Sequence, residues 1–176
     1  MPNFYTLPLG EQAPATVNAV IEIPKGSRNK YEYDAKNEVF MLDRVLSSSM
    51  MYAADYGFLP QTLAGDGDPV DILVLMEEPT FTGCIIPARP VGMMKMDDAG
   101  EDFKILSVPV KDKRWNHVFS LEDVPPHLLK ELEHFFASYK TLDNSFPQVS
   151  GWFSAEAARE YIAECAEAFK ANSLVK

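Results

Sequence analysis

The chain has 176 residues, 47% of them apolar and 24% charged, with 16 Lys and Arg against 26 Asp and Glu for a formal net charge of −10. That length suits one domain with a real core, and the composition is too apolar for a disordered segment. The acidic balance excludes the basic stripe of a nucleic-acid binder, and no apolar run approaches the length that spans a bilayer.

The expected organisation is a single domain over 1–176. Met1–Gly10 lacks a basic region followed by an apolar one, so no secretory signal is expected. Val17–Ile23 is a β-rich run that stops at Pro24, Lys30–Asp34 alternates, Val39–Asp43 is a short apolar strand and Val70–Met76 a buried one. Ile85–Met96 is long, and its Pro87, Pro90 and Gly92 mark bends or an edge. Asp97-Asp98-Ala99-Gly100 reads as a turn from which Phe103–Val110 returns. Short strands with turns between them predict a small closed barrel over about 17–110.

The last third is helical, over about 125–141 and 154–172. Pro125-Pro126 opens the first helix, whose apolar residues Leu128, Leu132, Phe135, Phe136 and Tyr139 keep helical spacing. Ser154 is a good N-cap for the second, with Glu156 in its first turn and Ala158, Tyr161, Ile162, Cys165, Ala168 and Phe169 on its apolar face. The expected class is therefore mainly β with flanking helices (α+β), the two helices packed outside the barrel. Cys84 and Cys165 lie far apart with no metal-ligand spacing. They read as buried free thiols of a reducing compartment, which points to the cytoplasm.

The chemistry concentrates in Asp66-Gly67-Asp68-Pro69-Val70-Asp71, where three carboxylates fall within six residues. Anions this close repel unless hard cations lie between them, and oxygen-only ligands select Mg²⁺, Mn²⁺ or Ca²⁺. An EF-hand loop is excluded, because Val70 and Asp71 stand where it needs an acid or Asn and then Gly. A solvated acidic turn is the bland alternative, and the neighbouring residues weigh against it.

Glu22, between Ile21 and Ile23, is either an acid at an open barrel end or a carboxylate aimed into the cavity. Lys30 with Glu32, and Asp102 with Lys104, are pairs two apart in extended segments, so each pair points one way. They are either cross-charged exposed strands or carboxylates for cations beside ammonium groups for phosphate oxygens. Arg44 follows Asp43 and could hold a phosphate with two hydrogen bonds. Tyr52 and Tyr56 bracket a turn before the acidic cluster, and Tyr139 and Lys140 end the first helix; each phenol is core packing or an uncharged donor to phosphate. His117, His127 and His134 show no zinc spacing and stay outside the site. The acids Glu22, Glu32, Asp66, Asp68, Asp71, Asp97 and Asp102 outnumber the bases Lys30, Arg44, Lys104 and Lys140. Adding an anionic substrate makes the imbalance worse, so several divalent cations are expected, bridging acids and phosphate.

These residues resemble the soluble inorganic pyrophosphatases of the metal-dependent, single-domain type found in bacteria. The signature Asp-x-Asp-Pro-hydrophobic-Asp stands at 66–71. Ile21-Glu22-Ile23-Pro24, Lys30-Tyr31-Glu32, Asp43-Arg44, Tyr56-Gly57-Phe58, Arg89-Pro90-Val91-Gly92, Gly100-Glu101-Asp102 with Lys104, and Tyr139-Lys140 follow as similar blocks in family order. Ala53 departs from the usual Pro after Tyr52, and Ser138 stands where some relatives carry His.

The resemblance implies a five-stranded closed barrel of the oligonucleotide-binding (OB) type that hydrolyses pyrophosphate to two phosphates by in-line attack of a metal-bridged hydroxide. It implies several Mg²⁺ per site, with Mn²⁺ as a substitute, and a homo-oligomer, usually a hexamer. Asp66, Asp71 and Asp102 match metal positions, with Asp97 holding a further ion; Glu32 joins this set. Asp68 matches the proton acceptor, and Lys30, Arg44, Tyr56, Tyr139 and Lys140 match substrate-binding positions. Glu22, Tyr52 and Lys104 support them. No nucleic-acid or membrane partner is expected. Rival readings are a phosphohydrolase acting on nucleotides, which lacks a Gly-rich phosphate loop here, and a non-catalytic binding module for Ca²⁺ or nucleic acid.

Overall fold

The computed structural model describes residues 3–98 and 100–173. Its strands are β1 (Val17–Ile23), β2 (Asn29–Asp34), β3 (Val39–Val45), β4 (Asp55–Phe58), β5 (Asp71–Val74), β6 (Ile85–Asp97), β7 (Glu101–Pro109) and β8 (Gln148–Phe153). Its α-helices are α1 (Pro126–Ser138) and α2 (Ala155–Ser173). The mainly-β class with two C-terminal helices is as the pattern predicts.

The main sheet runs β1-β4-β5-β7-β6-β8, and β1 also pairs with β6, so β1, β4, β5, β7 and β6 follow one another in a ring. All its pairings are antiparallel except β5 with β7. That parallel step sets Asp71 directly beside Lys104. β6 serves three partners, and its register shifts between Pro90 and Gly92, where proline offers no ladder donor. β2 and β3 form a separate two-stranded hairpin.

Several expectations change. β3 continues to Val45, so Arg44 lies within the strand rather than beyond its end. The bend between Tyr52 and Tyr56 is confined to Ala53 and Ala54, and Tyr56 and Gly57 lie in β4, four buried residues held between β1 and β5. β8 is a further strand that the alternation of Gln148–Phe153, broken by Gly151, does not announce. In the turn between β6 and β7, Ala99 lies outside the described residues.

The helices behave as their patterns require. α1 starts at Pro126, where a missing N–H costs nothing. It buries Leu132, Phe135 and Phe136 in one cluster with Tyr52, Tyr56, Met94 and Leu106. α2 is capped by Ser154, whose hydroxyl accepts the Ala157 N–H at 3.3 Å. It packs Ala158, Ile162 and Cys165 against Ile72, Val74 and Ile105. Ala168, expected on that face, is exposed.

One glycine is dictated by contact. A Cβ on Gly57 would fall 1.8 Å from the Val20 carbonyl oxygen, so β4 can lie against β1 only without a side chain there. Gly57→Ala therefore forces the backbone of β4 away from β1. It should destabilise the fold by about 3 kcal/mol, read as a fall in the urea midpoint at unchanged m-value. A midpoint equal to that of the parent chain would contradict the close approach.

Candidate active site

The acidic loop is folded upon itself before it enters β5. The Thr62 hydroxyl donates to the Leu59 carbonyl at 2.7 Å and accepts the Val70 N–H at 2.9 Å. Ala64 N–H donates to the Asp68 carbonyl at 2.8 Å, and Asp68 N–H to the Asp66 carboxylate at 3.0 Å. Gly67 takes φ +95°, a conformation that favours glycine, and the turn needs it there. The loop thus presents Asp66 and Asp68 outward on a fixed backbone while Asp71 starts the strand.

A cavity of about 250 Å³ opens there, lined by Glu22, Lys30, Glu32, Tyr56, Asp66, Asp68 and Asp71 together with Tyr5, Tyr33 and Phe58. A second, of about 20 Å³, shares Asp66 and Asp71 as a wall and adds Glu101, Asp102 and Tyr161. It has room for roughly one water-sized occupant.

Under both lies Lys104, whose side chain is only 4% exposed. Its ammonium donates to Asp71 at 2.6 Å, stands 3.0 Å from Asp102, and reaches the Tyr56 hydroxyl at 3.2 Å. Phe136 and the Tyr56 ring each face it at 5.3 Å. Burial alone would lower its pKa, but Asp71 and Asp102 outweigh burial and raise it, so it stays charged. The sequence reading offered Lys104 a phosphate; the structure gives it to two carboxylates.

The other titrations follow the crowding of negative charge. Burial, then the Asp66 and Asp71 carboxylates, hold Asp68 above the usual carboxylate range. Burial and Asp71 likewise raise Asp102, with Lys104 opposing. The Tyr56 phenol is pushed well above its ordinary value by burial and Asp71, so it remains a neutral donor. Glu22 rises to about 8, mainly from burial and opposed by the Tyr33 N–H that donates to its carboxylate at 2.8 Å.

The hairpin supplies the cations. Lys30 is ion-paired with Glu32, as their spacing predicts, and with Asp43 at 3.2 Å. Arg44 is bonded to the same Asp43 at 3.2 Å and is exposed. Lys140, after α1, is ion-paired with Asp98. Burial would lower the pKa of Lys140, but the Asp98 bond and Tyr139 raise it. Tyr52 and Tyr139 are buried around Phe135, at ring distances of 4.9 and 5.1 Å. Asp97 is exposed and accepts the Gly100 N–H at 3.1 Å. Arg44, Tyr52, Asp97, Tyr139 and Lys140 line neither cavity.

Sequence reasoning left out the counter-ions Asp43 and Asp98 and the wall residues Tyr5 and Tyr33. Asp43 was legible: Lys30 and Arg44 are register partners in the hairpin, and Asp43 is next to one of them. Asp98 and Tyr5 reach the site through long-range packing that no spacing encodes. Asp55 was also missed. It is fully buried and binds the Lys25 and Thr80 N–H groups at 2.8 and 3.0 Å, a structural anchor.

The donor chemistry fits a hard divalent ion. Every candidate ligand is a carboxylate, and Asp66, Asp68 and Asp71 face one cavity. The upward shift of Asp68 comes first from burial and then from the Asp66 and Asp71 carboxylates, which Lys30 opposes without reversing. Among the described residues, no three acids already converge as a closed metal cluster, since Asp71 and Asp102 are bound to Lys104.

Comparison with known proteins agrees with this chemistry. The family described as inorganic pyrophosphatase matches residues 19–170. An inorganic pyrophosphatase of Methanosarcina mazei is 54% identical over 151 residues, covering 85% of this chain and 89% of the relative. One from Nostoc is 51% identical over 158 residues, covering 89% and 94%. The crystal structure of inorganic pyrophosphatase from Thermus thermophilus superposes with a TM-score of 0.94 at 42% identity, covering 96% of this chain and 99% of that one.

Glu22 gives a pH signature. Its folded pKa of about 8 stands above the ordinary value of 4.5. Its contribution to stability is therefore full below pH 4.5 and is lost as pH rises through 8. With chelator present, Glu22→Gln should be the more stable form at pH 9 by roughly 2 kcal/mol, the full linkage being reduced by the solvent this carboxylate retains. At pH 5 the two should differ little. Denaturation midpoints that run parallel from pH 5 to 9 would remove the strain from Glu22.

Proposed function

The chain belongs to the inorganic pyrophosphatase family and hydrolyses pyrophosphate to phosphate, and from that premise we propose how its residues share the work. The observation that carries the reading is Asp68: a carboxylate held above its usual pKa by burial and by the Asp66 and Asp71 carboxylates, opening into the same cavity as Lys30.

Asp68 accepts the proton of the attacking water. A raised pKa brings a general base closer to the operating pH, which strengthens proton transfer. Lys30, Arg44, Tyr56, Tyr139 and Lys140 bind the two phosphoryl groups and stabilise charge on the departing one. Tyr56 does so without adding charge. Lys30 and Arg44 already share Asp43, so they exchange a carboxylate for a phosphate rather than moving a bare cation. Lys104 orients Asp71 and Asp102, Tyr52 packs on Tyr56 at 5.5 Å, and Glu22 fixes the backbone of β2.

Asp66, Asp71 and Asp102 would hold Mg²⁺, several ions per site, with Glu32 and Asp97 completing the set and Mn²⁺ able to substitute. When bound, magnesium supplies the positive charge that admits an anionic substrate and makes water more acidic. Asp71 and Asp102 can turn toward a cation while Lys104 keeps a hydrogen bond to Tyr56.

The ring β1-β4-β5-β7-β6 supports a closed five-stranded barrel of the OB type, and the chain acts as one catalytic domain over 1–176. Exposed Met41, Leu42, Val45, Leu142 and Phe146 support assembly into a homo-oligomer, a hexamer by the family resemblance. No helix of the described residues is long and apolar enough to cross a membrane. That, the −10 charge and the two unpaired thiols support a cytoplasmic protein without nucleic-acid or membrane partners.

Two measurements test the assignment. Phosphate release with saturating Mg²⁺ should be fast from pyrophosphate, slow from ATP and a phosphomonoester, and abolished by chelator. Asp68→Asn, which keeps the loop hydrogen bonds because they use the Asp68 backbone, should lower kcat by about 10²-fold with an unchanged melting temperature. Near-normal kcat in that variant removes Asp68 from proton transfer.

A further inference from the structure

The β2–β3 hairpin carries Lys30, Glu32, Asp43 and Arg44, yet it shares no ladder with the main sheet. Something else must fix its cations over the acidic loop. Three hydrogen bonds tie Tyr33 of the hairpin to residues outside it, and its ring also stacks on Phe58 at 6.2 Å. Its N–H donates to Glu22 of β1 at 2.8 Å, and its carbonyl accepts the Tyr5 hydroxyl at 3.4 Å. Its own hydroxyl accepts the Phe4 N–H at 3.1 Å. Two of these three ties come from one short N-terminal turn, Phe4–Thr6.

That turn is itself anchored. Gln61 N–H donates to the Tyr5 carbonyl at 2.9 Å, and the Gln61 side chain to the Thr6 carbonyl at 3.1 Å. The Tyr5 ring stands edge-on between the hairpin and the main sheet, 5.2 Å from Tyr33 and 4.9 Å from Phe58. Phe58 is the register partner of Asp71. Tyr5 therefore spans from the strand of Lys30 to the strand beside the acidic loop, and its side chain forms part of the cavity wall.

We propose that Phe4–Thr6 clamps the hairpin to the sheet and that Tyr5 is a positioning residue for Lys30 and Glu32. The clamp lies before residue 19, where the family match begins. Its phenol is pushed up to about 12 by burial and by Glu22, Asp68 and Glu32, so it adds no charge to the cavity it lines. The ring does the positioning; the hydroxyl, at 3.4 Å, contributes little.

This inference rests on the pyrophosphate reading, and the test separates the two. Phosphate release is measured against pyrophosphate concentration at saturating magnesium for the parent chain and for Tyr5→Phe, Tyr5→Ala and Ile162→Ala. Tyr5→Ala should raise KM about tenfold with kcat changed less than about threefold, because binding groups have shifted while the base has not. Tyr5→Phe should restore KM to within about twofold. Ile162→Ala hollows the cluster under α2 and lowers the melting temperature, but should leave KM unchanged. If Tyr5→Ala does not fold, Tyr5→Leu replaces it with the same expected rise. An unchanged KM in the Ala or Leu variant overturns the clamp, as does an equal rise in Ile162→Ala. A KM for Tyr5→Phe as high as for Tyr5→Ala overturns the role of the ring. A parent chain inactive on pyrophosphate instead overturns the hydrolase reading.

Discussion

The site depends on one buried ammonium. Lys104 is enclosed by Tyr56 and Phe136 and bonded to Asp71 and Asp102. A lone charge in such surroundings would be expelled or neutralised; two carboxylates and a phenol make it tolerable. The reverse also holds. Asp71 and Asp102 come from neighbouring strands, and their mutual repulsion is relieved because Lys104 sits between them. The parallel pairing of β5 with β7 is what brings the three together. A slip of one residue would turn Lys104, and Asp102 with it, to the opposite face and leave Asp71 uncompensated.

Around this floor the structure separates what is rigid from what is attached. Tyr56, Asp71 and Lys104 belong to the ring of strands, and α1 seals them through Phe135 and Phe136. The groups that would grip phosphate sit elsewhere: Lys30 and Arg44 on an independent hairpin, Lys140 just beyond α1. Each of these cations already holds a carboxylate, Asp43 or Asp98. Such pairing keeps the cations oriented before substrate arrives, and partial exposure keeps the pairs weak enough to exchange.

The acidic loop was legible because its chemistry is local: the ligands, the glycine that bends the chain and the proline that stiffens it are contiguous at 66–71. Most strands and both helices were legible for the same reason, through periodicity and caps. What was not legible came from contacts distant in sequence. β4 is four residues long and buried on both sides, so no alternation marks it; its neighbours β1 and β5 make it a strand. The spacing of Asp102 and Lys104 shows that they share a face, but only the parallel register reveals that Lys104 also takes Asp71. Tyr5 lies more than sixty residues from Asp66, Asp68 and Asp71, with which it shares the cavity, and nothing in its neighbourhood marks it out.

The electrostatics of the cavity explain how an acidic protein can act on an anion. Five carboxylates and one ammonium line it, and that ammonium, Lys30, is already shared by Glu32 and Asp43. Glu22, with a pKa near 8, is largely protonated at neutral pH and so removes one of those charges. The remainder still repels a bare phosphate and attracts cations. Such a field would disfavour a bare anion and favour one that arrives with divalent ions. After burial, the Asp66 and Asp71 carboxylates of the same field raise the pKa of Asp68. The crowding of carboxylates that attracts cations is therefore also felt at the side chain to which the proposed reaction assigns the proton.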